Sequence, residues 1–397
     1  MKVVFAGGGT GGHLIAGLSI AEEISSRFPY ADIIFLGTNR KKESKYIENN
    51  GYKYKQIKAH KLTSFIWLPV FISISLIGII HSLLYFLKIK PDIVVGLGGY
   101  GSVLPVIAAY VIGVPIVLIE QNVIPGRANL LMAKWADAVF CHWESTTERF
   151  RKVRSIDVTG IPIRKNIVKN KTGIAGNSLG LVAQKKTLLV MGGSQGSQAI
   201  NKVMIQCVPR LKTLIPDLQI IHLTGKNGYG EVKDAYDKTG ICAFVSEFFD
   251  DIGVAYELAD LVICRAGANT IAEISAVGIP AIIIPYPHAT DNHQYWNGYE
   301  LAKKGGALII EQEKLKSERL IELISDLLMD EEKLNDMRKI NKSLSKPFAA
   351  ARIVDKIFQT LKVKSSDKNL MLTLITVNSK TRNFIKKDES CITKVLK

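Results

Sequence analysis

Short apolar runs alternate with longer stretches of helical periodicity along most of the chain. Val3–Ala6, Ile33–Leu36, Ile93–Gly96 and Ile116–Ile119 are rich in Val and Ile and are bounded by Gly, Pro or Asp. Runs of that kind predict parallel strands buried on both faces, with helices between them. A second series begins at Thr187–Met191 and continues through Gln219–Leu223, Leu261–Cys264, Ala281–Ile284 and Ala307–Ile310. The pattern predicts an α/β protein built from two doubly wound halves. Thr159–Lys186 is polar, contains Pro162 and lacks periodicity, which marks a connector. The expected organisation is a first domain over 1–162, a second over 163–347 and a tail over 362–397, with a helix near 348–361 returning to the first domain.

One stretch breaks the alternation. Phe65–Leu87 runs for 23 residues without Asp, Glu, Lys or Arg, between Lys61 and Lys88. Its length suits a membrane span. A single crossing would separate the first two strands from the Ile93 strand, although all three belong in one sheet, and Pro69 and Gly78 interrupt it. The expectation is a helical segment dipping into one leaflet, with Lys41, Lys42, Lys53, Lys55, Lys58, Lys61, Lys88 and Lys90 available to anionic headgroups.

Composition narrows the class further. The 397 residues are 47% hydrophobic and 22% charged, an ordinary globular balance that excludes disorder as the main state. Cys141, Cys207, Cys242, Cys264 and Cys391 are odd in number and never form a CxxC pair, so neither a zinc site nor a disulfide framework is expected. The start, Met-Lys-Val-Val-Phe-Ala, carries no signal-peptide pattern and reads as cytosolic. The net charge is +16, and the segment from Lys362 onward holds nine Lys/Arg against three Asp/Glu. No basic run is interleaved with aromatics, so nucleic acid is not expected as a partner.

Candidate chemistry gathers at glycine-rich turns that follow strands. Gly7-Gly8-Gly9-Thr10-Gly11-Gly12-His13 satisfies GxGxxG, but the second strand ends Leu36-Gly37-Thr38, without the acid that a dinucleotide ribose requires. No GxxxxGK[ST] is present, so a P-loop is excluded. His13 opens the next helix and is a candidate general base, since its ordinary pKa lies near neutrality. Gly96-Leu97-Gly98-Gly99-Tyr100-Gly101-Ser102 and Glu120-Gln121-Asn122 close two further strands, placing three loops on one sheet edge.

The second half repeats the arrangement. Gly192-Gly193-Ser194-Gln195-Gly196 follows one strand, and Arg265-Ala266-Gly267-Ala268-Asn269-Thr270-Ile271-Ala272-Glu273 follows another. Small residues there allow a tight turn, and a helix N-terminus directs amides at a phosphate. Glu273, expected on the first helical turn, suits a ribose diol. Arg164, after Gly160-Ile161-Pro162, suits a pyrophosphate. The run Asp291-Asn292-His293-Gln294-Tyr295-Trp296-Asn297 is dense in groups that bond a sugar. His288 and His293 lack a third ligand at sensible spacing, so no metal site is expected.

Taken in order, these motifs resemble the MurG family over roughly residues 1–361: GGGTGGH at 7–13, GLGGYGS at 96–102, EQN at 120–122, GIPIR at 160–164, GGSQG at 192–196, FFDD at 248–251, CRAGANTIAE at 264–273 and DNHQYWN at 291–297. The resemblance implies a GT-B fold, two Rossmann-like domains facing an interdomain cleft. It implies transfer of N-acetylglucosamine from UDP-N-acetylglucosamine to undecaprenyl-pyrophosphoryl-MurNAc-pentapeptide (lipid I), with inversion and without a cofactor, on the cytoplasmic face of the bacterial membrane. Peripheral attachment and contact with cell-wall synthesis proteins follow from the same likeness. The uracil would meet the Phe249 backbone and the ribose Glu273. Ser194, Ala268, Asn269 and Thr270 would surround the diphosphate, Ile271 and Ala272 would also belong to the substrate-binding residues, and Gln294, with His293 beside it, would contact the sugar hydroxyls. Thr10, Gly11, Gly12 and Asn122 would receive acceptor and donor sugar, with Arg164 approaching from the hinge. His13 would be the base, with Glu120 as its alternative or its orienting partner. The family often carries two Gln residues where this chain has His293-Gln294, and a Leu where Asn269 stands. A diacylglycerol glycosyltransferase and a catalytically silent UDP-sugar-binding protein are the rival readings.

Overall fold

The computed structural model describes residues 1–8, 11–38, 41–57, 68–151, 153–164, 167, 179–182 and 184–363. Thr10, Phe65–Trp67, Lys58, Lys61 and the tail beyond 363 lie outside the described residues.

Two parallel sheets form the molecule. The first contains β1 (Lys2–Gly7), β2 (Asp32–Gly37), β3 (Lys53–Gln56), β4 (Ile93–Gly98), β5 (Ile116–Glu120), β6 (Ala138–Cys141) and β7 (Ile156–Val158), in the order β3-β2-β1-β4-β5-β6-β7. The second contains β8 (Thr187–Met191), β9 (Gln219–Leu223), β10 (Cys242–Ser246), β11 (Leu261–Cys264), β12 (Ala281–Ile283) and β13 (Ala307–Ile309), in the order β10-β9-β8-β11-β12-β13. The apolar runs account for nine of these strands. β3 and β7 escaped the pattern because they are sheet edges, one polar and one only 3 residues long. β10 is apolar in sequence, Cys-Ala-Phe-Val-Ser, and the same pattern extends to it. β6 escaped because it is only 4 residues long.

Alternation of side chains explains why the central strands are apolar throughout. Val3 and Phe5 enter the core on one face of the first sheet, while Val4 and Ala6 enter the core on the other. Phe5 stacks on Phe35 of the neighbouring strand at 4.9 Å between centroids. Leu189 and Met191 divide from Leu188 and Val190 in the same way in the second sheet. Aspartates placed just before strands satisfy the first amides of their neighbours. Asp92 accepts from Lys2 N at 2.6 Å, Asp137 from Ile116 N at 2.9 Å and Asp260 from Thr187 N at 2.9 Å.

The chain crosses between lobes twice, and the two crossings pack on each other. After β13 the helices Ser317–Met329 and Glu331–Leu344 cover the second sheet. The helix over 349–363 then lies on the first lobe, with Ile353, Val354 and Ile357 in the same core cluster as Val3 and Phe5. Arg27 pairs with Asp355 at 2.6 Å, and Lys356 with Asp157 at 2.6 Å. At the crossing, Lys346 Nζ donates to the His142 carbonyl at 2.9 Å. Gly160 sits under the Lys346 stem at φ +95°, where a Cβ would come within 2.6 Å of Lys346 Cβ.

Gly160→Ala is therefore expected to destabilise the protein by about 1–3 kcal/mol, from a left-handed backbone and an overfilled contact together. A urea titration followed by tryptophan fluorescence measures it. An unchanged midpoint would show that the two crossings have room to separate.

Candidate active site

In a doubly wound sheet the order of strands reverses at one point, and ligands settle outside the carboxyl ends of the strands there. In the first lobe that point lies between β1 and β4, whose carboxyl ends carry the glycine turns after Gly7 and Gly98. The turns are in contact. Gly7 has φ +121°, and a Cβ there would stand 2.6 Å from the Gly98 carbonyl, so the position excludes any side chain. In the second lobe the reversal lies between β8 and β11, beside Gly192–Gly196 and the 265–270 turn. The two edges face each other. Asn269 Nδ2 donates to the Gly12 carbonyl at 3.1 Å, and Ala16, Ile161 and Ala272 share a small apolar contact across the gap.

His13 begins the helix Gly11–Arg27, close to Gly8, Gly98 and Gly99. Its Nδ1 is shielded from solvent and makes no hydrogen bond of good geometry. Burial lowers its pKa to about 4; the nearby Gly8 carbonyl opposes the shift, and His293 of the other lobe adds to it. The ring is thus neutral at pH 7, the form a proton acceptor needs.

Glu120 is fully enclosed, and both of its oxygens are engaged. Oε1 accepts from Asn122 N at 2.9 Å and Asn122 Nδ2 at 3.3 Å, and Oε2 from Gly126 N at 2.9 Å and Asn129 Nδ2 at 2.8 Å. Burial lifts its pKa above the ordinary carboxylate range despite those four donors. No hydrogen bond joins it to His13 among the described residues. The geometry makes Glu120 the organiser of the 121–129 loop, and leaves neither a free oxygen for an incoming hydroxyl nor a direct orienting contact with His13.

Glu273 differs in position from the expectation, and the other expected residues have protein partners or surroundings of their own. Glu273 lies on the second turn of the helix Ala268–Val277, since the helix begins at Ala268. It is buried, bonded by Tyr256 Oη at 3.0 Å and by Arg164 Nη2 at 3.3 Å, and burial raises its pKa against those partners. Arg164 is committed to Glu273, with its Nε buried and unpartnered. Asn122 has its Oδ1 held by Asn297 Nδ2 at 3.0 Å. Ser194 is exposed on its turn, Phe249 packs edge-on against Phe244 at 5.5 Å, and Gln294 Oε1 accepts from Tyr286 N at 3.0 Å. His293 Nδ1 lies 2.8 Å from the Thr290 carbonyl, after Asp291 and Asn292, which both adopt positive φ.

Four residues outside the candidate set support the site. Tyr256 pins Glu273. Arg265 is a brace: Nη1 donates to the Ile284 and Pro285 carbonyls, and Nη2 to Ser197 Oγ and Gln312 Oε1, tying three loops beneath the turn. Asn129 joins Glu120 to the Ile119 carbonyl, and Asn297 joins the lobes through Asn122 and Val123. Asn297 stood inside a quoted motif; Tyr256 and Asn129 carry no sequence signal. Among the described residues no group of three or more His, Cys, Asp or Glu side chains gathers as a metal site.

Comparison with known proteins defines the class first. Residues 3–141 match the glycosyltransferase family 28 N-terminal domain, and residues 187–353 match its C-terminal domain. A protein of Halothermothrix orenii named UDP-N-acetylglucosamine–N-acetylmuramyl-(pentapeptide) pyrophosphoryl-undecaprenol N-acetylglucosamine transferase is 38% identical over 372 residues, covering 91% of this chain and 100% of its own. The chain belongs to the MurG family. A Myxococcus xanthus protein with the same name is 36% identical over 359 residues, 89% of this chain and 92% of its own. The crystal structure of Acinetobacter baumannii MurG aligns with a TM-score of 0.73 at 26% identity, over 90% of this chain and 99% of that one. A UDP-GlcNAc 2-epimerase from Neisseria meningitidis, at 13% identity and a TM-score of 0.66 over 90% of this chain and all of that one, shares the fold alone.

Two outcomes follow from this geometry. Glu120→Gln puts an amide against neighbouring donors and is expected to cost about 1–3 kcal/mol, read as a lower urea midpoint. The pH dependence has a defined sign as well. Burial lowers His13, His142 and His222 from 6.5 to about 4, 3 and 3. Below pH 6.5 the unfolded chain binds protons that the folded chain refuses. Stability from these groups is complete above that pH and is lost as pH falls towards 4, by up to about 1.4 kcal/mol per unit for each histidine. Urea midpoints from pH 7 to 4.5 check this, and a flat profile would contradict it.

Proposed function

We propose that the protein is an inverting glycosyltransferase that moves N-acetylglucosamine from UDP-N-acetylglucosamine to the C4 hydroxyl of lipid I, forming lipid II in peptidoglycan synthesis. The observation that carries this reading is agreement over nine-tenths of the chain with transferases whose names state that donor and acceptor. The facing of two switch-point edges supports it.

The second lobe holds the nucleotide, with Glu273 on the ribose diol and the backbone at Phe249 beside the uracil. Ser194 and the amides opening the Ala268–Val277 helix face the diphosphate, where a helix N-terminus favours negative charge. Arg164 exchanges its bond with Glu273 for the donor as the nucleotide enters. His293 and Gln294 hold the sugar, and Gly11, Gly12 and Asn122 receive the acceptor and the transferred sugar, together with Thr10. The acceptor oxygen attacks the anomeric carbon from the face opposite UDP. The new C1–O bond forms as the bond to UDP breaks, through an oxocarbenium-like state. His13 takes the hydroxyl proton. Glu120 acts by holding the Asn122 loop.

The acceptor is lipid-borne, and the surface offers a docking element for it. The helix Leu68–Ile89 packs on Tyr100–Val111 by one side and exposes Val70, Leu76, Ile77, Ile80, Leu84 and Leu87 on the other. Its Val70–Ile89 portion is long and apolar enough to cross a membrane. β3 and β4, before and after it, share one hydrogen-bonded sheet, which favours a helix lying in the cytoplasmic leaflet. Lys53, Lys55, Lys88 and Lys90 then meet anionic headgroups, and the protein sits peripherally on the cytoplasmic face, beside other cell-wall synthesis proteins.

Transfer of radiolabel from UDP-N-acetylglucosamine to a lipid I analogue is the decisive assay, with UDP-glucose and diacylglycerol as controls. His13→Ala is expected to lower kcat by about 10²–10⁴ with UDP affinity kept; unchanged turnover would remove the base. Ile80→Asp with Leu84→Asp is expected to reduce sedimentation with anionic vesicles at least about tenfold while turnover on a short-chain acceptor holds. Equal sedimentation would remove the leaflet assignment.

A further inference from the structure

Asn297 is fully buried, on the second turn of the helix His293–Ala302. Its carboxamide makes three hydrogen bonds, two of them to the other lobe. Oδ1 accepts from Val123 N at 2.9 Å, and Nδ2 donates to Asn122 Oδ1 at 3.0 Å. Nδ2 also donates to the Ala266 carbonyl at 3.2 Å, two residues before the helix that opens at Ala268. On the far side, Asn122 donates twice to the buried carboxylate of Glu120. A continuous chain of polar contacts thus runs from Glu120 through Asn122 and Asn297 to Ala266, from the acceptor-side loop to the donor-side turn.

The surroundings are arranged to favour that contact. Ser145 Oγ donates to Glu300 Oε1 at 2.7 Å, one turn along the same helix. At the rim, Arg127 grips Asp291 through two bonds of 3.1 and 2.8 Å, holding a residue at φ +51° two positions before His293. Val123 and Trp143, from the first lobe, join the core cluster of the second. Opening the lobes would expose each of these groups and leave Asn297 needing water in place of its cross-lobe partners.

We propose that Asn297 is a positioning residue for glycosyl transfer, binding the Asn122 loop to the Ala266 turn so that the acceptor-side and donor-side loops reach their working geometry only together, on closure. The proposal rests on the transferase reading above. A rigid sheet edge on each lobe cannot sense the other; a carboxamide bonded to both couples them.

The test uses the full chain, with spin labels at the exposed positions 30 and 329, one on each lobe, and kinetics with UDP-N-acetylglucosamine and a lipid I analogue. Asn297→Ala is expected to lower kcat about 30-fold or more, to leave the UDP dissociation constant and donor KM within about threefold, and to broaden the label distance. Asn122→Ala combined with it should cost clearly less than the product of the two single effects, since the two residues share the Asn122–Asn297 bond while each keeps contacts of its own. Asn297→Asp should be at least as damaging as the alanine variant, because an oxygen then faces Asn122 Oδ1 and the Ala266 carbonyl. Asn297→Ser serves if the alanine variant does not fold. A tenfold rise in donor KM with kcat intact would make Asn297 a plain donor ligand and overturn the proposal, as would multiplying effects or an unchanged label distance. If the unmodified protein transfers nothing to the analogue, the transferase reading fails, while the label distances still decide the coupling.

Discussion

A parallel sheet covered on both faces has little freedom in where it can present chemistry. Its strands are consumed by the core, its amino ends are sealed by aspartates such as Asp92, Asp137 and Asp260, and only the loops at its carboxyl ends remain. This protein has two such sheets, and it turns those ends toward each other. The candidate groups lie at one of these ends, on the last residue of a strand, in a loop or in the opening two turns of a helix, or on the crossing between the lobes. The facing of the two edges is the constraint on which the rest depends.

Buried polar groups make the arrangement specific. Glu120 gathers four donors and shapes one loop; Arg265 reaches four acceptors and shapes another; Asn297 connects the first to the second turn. Each would be costly without its partners, because desolvated carboxylate, guanidinium and carboxamide groups lose their bonds to water. That cost selects one packing of the loops over others. It also explains why residues that read as substrate ligands, Asn122 and Glu273 among them, already have protein partners.

The exposed apolar side of the helix Leu68–Ile89 stands outside this logic. It belongs to the first lobe, packs by one side on a neighbouring helix and leaves large aliphatic side chains in contact with water. An apolar surface of that extent is uncommon on a soluble face and is consistent with a lipid-borne acceptor. The two ends of the helix join strands of one sheet, so fold and surface point the same way.

Periodicity and punctuation made nine strands, two doubly wound halves and the glycine turns legible, because buried parallel strands must be apolar throughout and tight turns must be small. The edge strands β3 and β7 were not legible, since one is polar and the other is only 3 residues long, whereas β10 is an apolar run of the same kind as the strands that were found. Residue types alone placed His13, Glu120 and Glu273 at the site, but their roles depended on partners far along the chain. Only the folded chain brings Glu120 to Asn129, Glu273 to Tyr256 and Arg164, and Asn297 to Asn122, 175 positions away. Strands and turns are properties of a short stretch and its burial. A hydrogen bond between lobes is a property of the distance that tertiary packing sets.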